Sequence, residues 1–134
     1  MIIIVEEGGI KITKTTKVLV IEPNSLNMEL AFEILNSNGF TVDGAKSGAD
    51  AYNKIEKQIY DFILMEPRLP DADGFSIAKA IKNNDGYKNV PLIALTAYAM
   101  KGDKERILNA GFDDYIPKPI NVHDLMAKVE KYRN

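Results

Sequence analysis

Four polar side chains in this sequence stand at or just past the points where apolar runs stop. Lys17-Val18-Leu19-Val20-Ile21 ends on Glu22, and Phe62-Ile63-Leu64-Met65 ends on Glu66. Val90-Pro91-Leu92-Ile93-Ala94-Leu95 ends on Thr96, and the short Tyr115-Ile116 is followed closely by Lys118. Two carboxylates, a hydroxyl and an ammonium form a set in which charges can pair. Each alone reads as an ordinary strand-end residue, because charged side chains are mostly exposed. Their common placement after separate runs is what singles them out.

The runs are short, apolar and flanked by turn formers, the pattern of buried strands. Helical spacing fills the intervals between them. Asn24-Ser25 offers caps ahead of Leu26, Leu30, Ile34 and Leu35, and Asn38-Gly39 supplies the stop. Phe40-Thr41-Val42 begins a further strand that Gly44 closes, and Ser47-Gly48 opens a helix carrying Ala51, Tyr52 and Ile55. Ala78 and Ile81 mark a third helix, and a fourth over residues 100–110 is closed by Gly111. The fifth starts at Asn121, with Asp124 three residues on as a weak capping box, and turns Leu125 and Val129 inward. Five strands alternating with five helices predict a parallel sheet covered on both faces, because each parallel crossover needs a helix. The expected fold is α/β, a doubly wound five-stranded parallel sheet. In such sheets ligands gather outside the carboxyl ends of the strands, where strand order reverses. Glu22, Glu66, Thr96 and Lys118 would meet there.

A chain of 134 residues is one domain in size. Hydrophobic residues at 46% and charged residues at 27% fit an ordered globular protein rather than a membrane or disordered chain. Seventeen Lys and Arg against nineteen Asp and Glu leave a net charge of −2 with no basic block, which argues against nucleic acid as a partner. The absence of cysteine removes disulfides, thiolate zinc sites and cysteine nucleophiles. Met1-Ile2-Ile3-Ile4-Val5 is apolar, but it is short, lacks a basic leader and runs into Glu6-Glu7. No membrane contact is expected, and the expected location is cytoplasmic.

Four stretches, in order and with their spacings, carry a resemblance. They are Val18-Leu19-Val20-Ile21-Glu22-Pro23-Asn24, Phe62-Ile63-Leu64-Met65-Glu66-Pro67-Arg68-Leu69-Pro70, Ile93-Ala94-Leu95-Thr96-Ala97-Tyr98-Ala99-Met100-Lys101-Gly102-Asp103 and Gly111-Phe112-Asp113-Asp114-Tyr115-Ile116-Pro117-Lys118-Pro119-Ile120. From Lys17 to Tyr132 the chain resembles the receiver domain of two-component response regulators, of the CheY-like superfamily. It is similar to single-domain regulators of the bacterial cell-division type and to receivers attached to hybrid histidine kinases. The resemblance implies a flavodoxin-like (βα)5 fold with strand order 2-1-3-4-5, and a signalling rather than an enzymatic role in a phosphorelay. In that family an aspartate pair after the first strand holds magnesium, and an aspartate after the third takes the phosphoryl group. A Thr or Ser after the fourth contacts that group, and a lysine after the fifth pairs with it. Thr96 and Lys118 match, whereas the acid pair reads Glu22-Pro23 and the phosphoacceptor position reads Glu66.

Those departures bear on the chemistry. In-line phosphoryl transfer needs close alignment, and misplacement by ~1 Å costs on the order of a hundredfold. A glutamate is longer than an aspartate by one C–C bond, about 1.5 Å. Magnesium wants near-octahedral oxygen ligands, and Pro23 offers no side-chain oxygen. Weak magnesium binding or none is expected at Glu22, Pro23 and Arg68, and no other cofactor. The extra length also carries the Glu66 carboxylate toward the place of a phosphoryl group, between Thr96 and Lys118. It either imitates the modified state in part, with one charge where a phosphoryl brings about −1.5 to −2, or forms an inert Glu66–Lys118 pair in a decayed site. Arg68 aligns where the family gives a backbone carbonyl to the metal. Its guanidinium is read as solvated, with a pair to Glu22 as the alternative.

The resemblance extends to the read-out. Tyr115 matches the switch aromatic, Ala97 is the small residue after Thr96, and Lys118-Pro119 matches a bond that is usually cis. Asp71, Asp73, Asp113 and Asp114 are read as turn or cap residues, and Asp61, at the start of its strand, as far from the site. His123 reads as a surface residue. The implied partner is a histidine kinase or an output protein, docked on the face of helix 4, strand 5 and helix 5. The expected function is phosphorylation-independent binding. Phosphoryl acceptance on Glu66 is one alternative. Oligomerisation through residues 1–16, including a homodimer, is another. That segment precedes the receiver region 17–134, and its apolar runs on either side of Gly8-Gly9 predict a hairpin.

Overall fold

Successive residues of a strand face opposite sides of a sheet, so a strand covered by helices on both faces must be apolar throughout. The unbroken runs of this sequence are such strands. The computed structural model describes residues 2–13, 15–97 and 101–133. Its elements run β1 (Ile2–Glu6), β2 (Gly9–Thr13), β3 (Lys17–Ile21), α1 (Ser25–Ser37), β4 (Thr41–Ala45), α2 (Gly48–Lys57), β5 (Phe62–Met65), α3 (Gly74–Asn83), β6 (Leu92–Thr96), α4 (Lys101–Asn109), β7 (Asp114–Pro117) and α5 (Val122–Val129), followed by a short 3-10 turn, Glu130–Tyr132. The main sheet is wholly parallel in the order β4-β3-β5-β6-β7, which in its own numbering is 2-1-3-4-5.

Alternation divides the core. Val18, Val20, Phe62, Leu64, Ile93, Leu95 and Ile116 face α1 and α5, meeting Ala31, Leu35, Leu125 and Val129. Leu19, Ile21, Ile63, Met65, Leu92 and Ala94 face α2, α3 and α4, meeting Ala51, Ile77, Ala78 and Ile107. The caps read from the sequence are in place. Asn24, Ser47 and Asn121 each accept a backbone N–H of the first turn they open. Asp73 does the same for α3, while Asp71 accepts the N–H groups of Gly48 and Ala49 and so ties α2 to the β5–α3 loop.

Several boundaries differ from the sequence reading. β4 continues through Gly44 to Ala45 rather than closing at Gly44. The glycine is there for packing, since a Cβ would lie 3.0 Å from both Met28 Sδ and Phe32 of α1. β6 starts at Leu92, past Val90-Pro91, and runs through Thr96; β7 is longer than Tyr115-Ile116, spanning Asp114–Pro117. Asp114 is therefore a strand residue, ion-paired with Lys128 of α5 at 3.0 Å, and not a loop cap. Met100, expected to begin helix 4, lies outside the described residues, as do Tyr98 and Ala99.

Two carboxylates fasten the amino ends of the strands. Asp61 accepts the Lys17 N–H at 2.7 Å, and Asp113 accepts the Leu92 N–H at 2.8 Å while pairing with Lys82 at 2.7 Å. Both lie at the end of the sheet opposite Glu66. β1 and β2 form a separate antiparallel hairpin, in which Glu7-Gly8 make the turn and Gly9 adopts φ +123°. Among the described residues no helix is long and apolar enough to cross a membrane.

The loop that follows β5 is held by a close backbone approach. The Gly74 N–H donates to the Pro67 carbonyl at 3.0 Å, and a Cβ at Gly74 would lie 2.1 Å from that oxygen. Gly74→Ala should therefore push the loop off the sheet, lowering stability by about 2 kcal/mol or more. Urea denaturation measures the loss.

Candidate functional site

Parallel register assembles the site. Ile21 of β3 pairs with Met65 of β5, so the next residue on each strand, Glu22 and Glu66, emerge side by side. Their backbones continue the ladder, with Glu22 N–H on Ala45 O and Glu66 N–H on Ile21 O, both at 2.9 Å. The chain runs from β3 outward to β4 and then crosses to β5, so strand order reverses between these two acids. From two strands away, Lys118 follows β7 with its N–H on Thr96 O at 2.9 Å, and the Lys118–Pro119 peptide is cis.

The Lys118 ammonium lies between the two carboxylates, 2.5 Å from Glu22 Oε1 and 3.3 Å from Glu66 Oε2. Both acids are buried, Glu22 completely. Among the described residues the two facing oxygens have no hydrogen-bond partner, and the ammonium is the ion-pair partner of each. The other Glu22 oxygen accepts the Asn24 N–H at 3.0 Å, and the Arg68 backbone N–H donates to Glu66. With both acids ionised, the two buried carboxylates and the partly buried ammonium sum to −1. Burial pushes the Glu66 carboxyl above its ordinary range; Lys118 opposes that shift, and the charge of Glu22 adds to it.

The four residues singled out in the sequence are brought to one rim, with Thr96 buried at the end of β6. The sequence reading missed that Glu22, rather than Glu66, is the nearer partner of Lys118. The signal was available, since matching Val18–Ile21 to Phe62–Met65 in parallel register already sets the two acids shoulder to shoulder. Arg68 has an exposed side chain, and its backbone bridges to Asp73. The Glu22 carboxylate turns to Lys118, not to Arg68. His123 is on the surface beside Asp124. A cleft of about 350 Å³ opens next to Thr96, lined by Pro67, Arg68, Phe75 and Arg106 among others.

The donor set fits magnesium poorly. A dication at this crevice needs several free oxygens, yet one Glu22 oxygen is on the Lys118 ammonium and the other on a backbone N–H. Pro23 adds no side-chain oxygen. Among the described residues no group of three His, Cys, Asp or Glu is placed to hold a metal. Tyr115, on β7, is half-buried, its ring flanked by the ammonium groups of Lys104 at 5.1 Å and Lys128 at 5.8 Å.

A doubly wound sheet that gathers two acids, a threonine and a lysine at its switch crevice defines a receiver-type signalling domain. The chain belongs to the response regulator receiver domain family, which matches residues 18–130. It is similar to the polar-differentiation response regulator DivK of Brucella ovis, with 36% identity over 118 residues, covering 88% of this chain and 96% of that one. Among solved structures it is similar to the receiver domain of a sensor histidine kinase from Pseudomonas aeruginosa, which has magnesium coordinated in its active-site cleft. The TM-score is 0.81 and the identity 36%, covering 89% and 98% of the two chains. A chemotaxis response regulator of Vibrio cholerae superposes with a TM-score of 0.84 at 24% identity, a likeness of fold, covering 89% and 99%.

The shared ammonium makes the site's stability asymmetric. Lys118→Met leaves two buried carboxylates without a cation and should cost about 3–5 kcal/mol at neutral pH. Glu66→Gln leaves a neutral Glu22–Lys118 pair and should hold or raise stability. The folded Glu66 keeps its proton above the ordinary glutamate value of 4.5. In the window upward from that value the native state binds more protons than the unfolded one, so its contribution to stability falls as pH rises. Urea denaturation at a series of pH values should show that fall in the wild type and a flatter profile in Glu66→Gln.

Proposed function

We propose that this receiver acts without phosphorylation, as a protein-binding module whose acceptor site is filled by its own side chains. The observation that carries this reading is the Lys118 ammonium held between Glu22 and Glu66. In a phosphorylatable receiver that lysine answers the incoming phosphoryl group; here its charge is already more than matched. Pro23 supports the same reading from the metal side, since a phosphoryl oxygen needs a cation to neutralise it. The site holds one arrangement, and a partner reads that arrangement directly.

The surface for that partner is the face of α4, β7 and α5. Tyr115 lies there between Lys104 and Lys128, and Asp114 draws Lys128 and Lys131 to within 3.0 and 3.8 Å. A kinase or output protein of a two-component system is the partner class, in keeping with DivK-like relatives. The protein is a signalling domain, and its expected location is the cytoplasm.

Incubation with acetyl phosphate and magnesium, followed by intact mass, tests the reading. The wild type should gain no phosphate, and millimolar magnesium should leave its melting temperature unchanged. Glu66→Asp alone and Pro23→Asp alone should recover little incorporation. The double variant should recover far more than their sum, because acceptor and metal act as one unit. Phosphate on the wild-type chain would overturn the proposal in favour of acceptance on Glu66.

A further inference from the structure

β7 is the last strand of the main sheet, so its outer edge lies open between α4 on one face and α5 on the other. That edge is a poor template for another strand. It is four residues long, opens on Asp114 and closes on Pro117, which has no N–H to give. What it presents instead are side chains. The half-buried Tyr115 ring has the ammonium groups of Lys104 of α4 and Lys128 of α5 at 5.1 and 5.8 Å. Asp114 pairs with Lys128 at 3.0 Å and with Lys131 at 3.8 Å, yet its side chain is 18% exposed against 39% and 57% for the two lysines, so the acid lies under its cations. One carboxylate thus serves two ammonium groups, and among the described residues Lys104 pairs with no carboxylate. Neighbouring acids are committed elsewhere. Asp124 is turned to Asn121 and His123, Asp103 lines the cleft beside Thr96, and Glu105 stands about 100° round α4 from Lys104. The face is cationic on a chain whose net charge is −2. Leu108, 51% exposed, lies one turn beyond Lys104 on the same side of α4.

We infer that the partner of this face is an acidic amphipathic helix, whose carboxylates meet Lys104, Lys128 and Lys131 while an apolar side chain packs on Tyr115 and Leu108. The inference rests on the reading that the unmodified chain binds its partner, and it adds the partner's chemistry. Charge complementarity selects an acidic segment, since a neutral or basic one leaves the outward ammonium groups unanswered. The edge selects a helix. An added strand gains affinity by extending a ladder, which Pro117 and the shortness of β7 oppose, whereas a helix lays its side chains across the edge from α4 to α5 and needs no backbone partner. Residues three and four apart on a helix share a face, so acids and apolar residues can recur there in adjoining stripes. The lysines are partly exposed, so their attraction governs the choice of partner and the rate of encounter more than the tightness of the complex.

Fluorescence anisotropy of a labelled peptide tests this on the full, unmodified chain. The probe is a helix of about 18 residues with Leu along one stripe and Glu along the next, and its controls replace every Glu by Gln or by Lys. At about 0.15 M salt the Glu peptide should bind, and the Gln and Lys peptides should bind at least about tenfold more weakly. Lys104→Glu, which breaks no ion pair, should weaken the Glu peptide about tenfold or more with the thermal transition unchanged, and Lys128→Gln should weaken it in the same direction. Lys57→Glu, the same change of charge on α2, should bind as the wild type does. A Glu peptide that binds no better than its Gln counterpart, or a Lys57→Glu chain that loses as much as Lys104→Glu, overturns the inference. Failure of the underlying reading looks different. Binding that appears only after acetyl phosphate and magnesium have added a phosphate, seen by intact mass, overturns action without phosphorylation and leaves the acidic helix as the partner.

Discussion

One ammonium shared by two buried carboxylates is the constraint around which the site is arranged. Lys118 reaches it from the last strand, Glu22 and Glu66 from the two strands that flank the reversal of strand order. Buried charge is costly unless it is paired, and here one positive charge must serve two negative ones. The residual charge is tolerated because backbone N–H groups of Asn24 and Arg68 also donate to the acids. A lysine suits the position. Its ammonium is compact and can meet two separate oxygens, whereas the planar fork of an arginine favours one carboxylate at a time.

A receiver works as a two-state element, and a signal shifts its balance only by interacting differently with the two states. In this chain Lys118 already pairs with both Glu22 and Glu66. Fold alone does not decide the matter. The Pseudomonas receiver has the same architecture at 36% identity and coordinates magnesium. In this chain the side chains that bear on a metal are a handful at one rim, above all Pro23 beside Glu22 and the two acids that share Lys118.

The architecture was legible because each of its signals is local. Apolar runs, Asn24, Ser47 and Asn121 as caps, and Gly39 and Gly111 at helix ends with φ +87° and +105° each act within a few residues. Gly44 misled as a stop because its reason is distant, the approach of Met28 and Phe32. At the site, the residue types were legible and the pairing was not. Which acid takes the ammonium depends on the reach of Lys118 across β6 and on the register of β3 against β5. The resemblance located Glu66 as the position of interest and drew attention away from Glu22, whose full burial could not be read from a strand end.

The sheet is finished differently at its two ends. At the amino end, Asp61 and Asp113 close the ladder by accepting backbone N–H groups of Lys17 and Leu92, bonds that serve the fold alone. At the carboxyl end lie Glu22, Glu66 and Lys118, paired with one another. Fasteners and chemistry thus occupy opposite rims of the same strands. Scaffold and site thus rest on different residues, and a change of side chains at one rim leaves the register of the strands to the other.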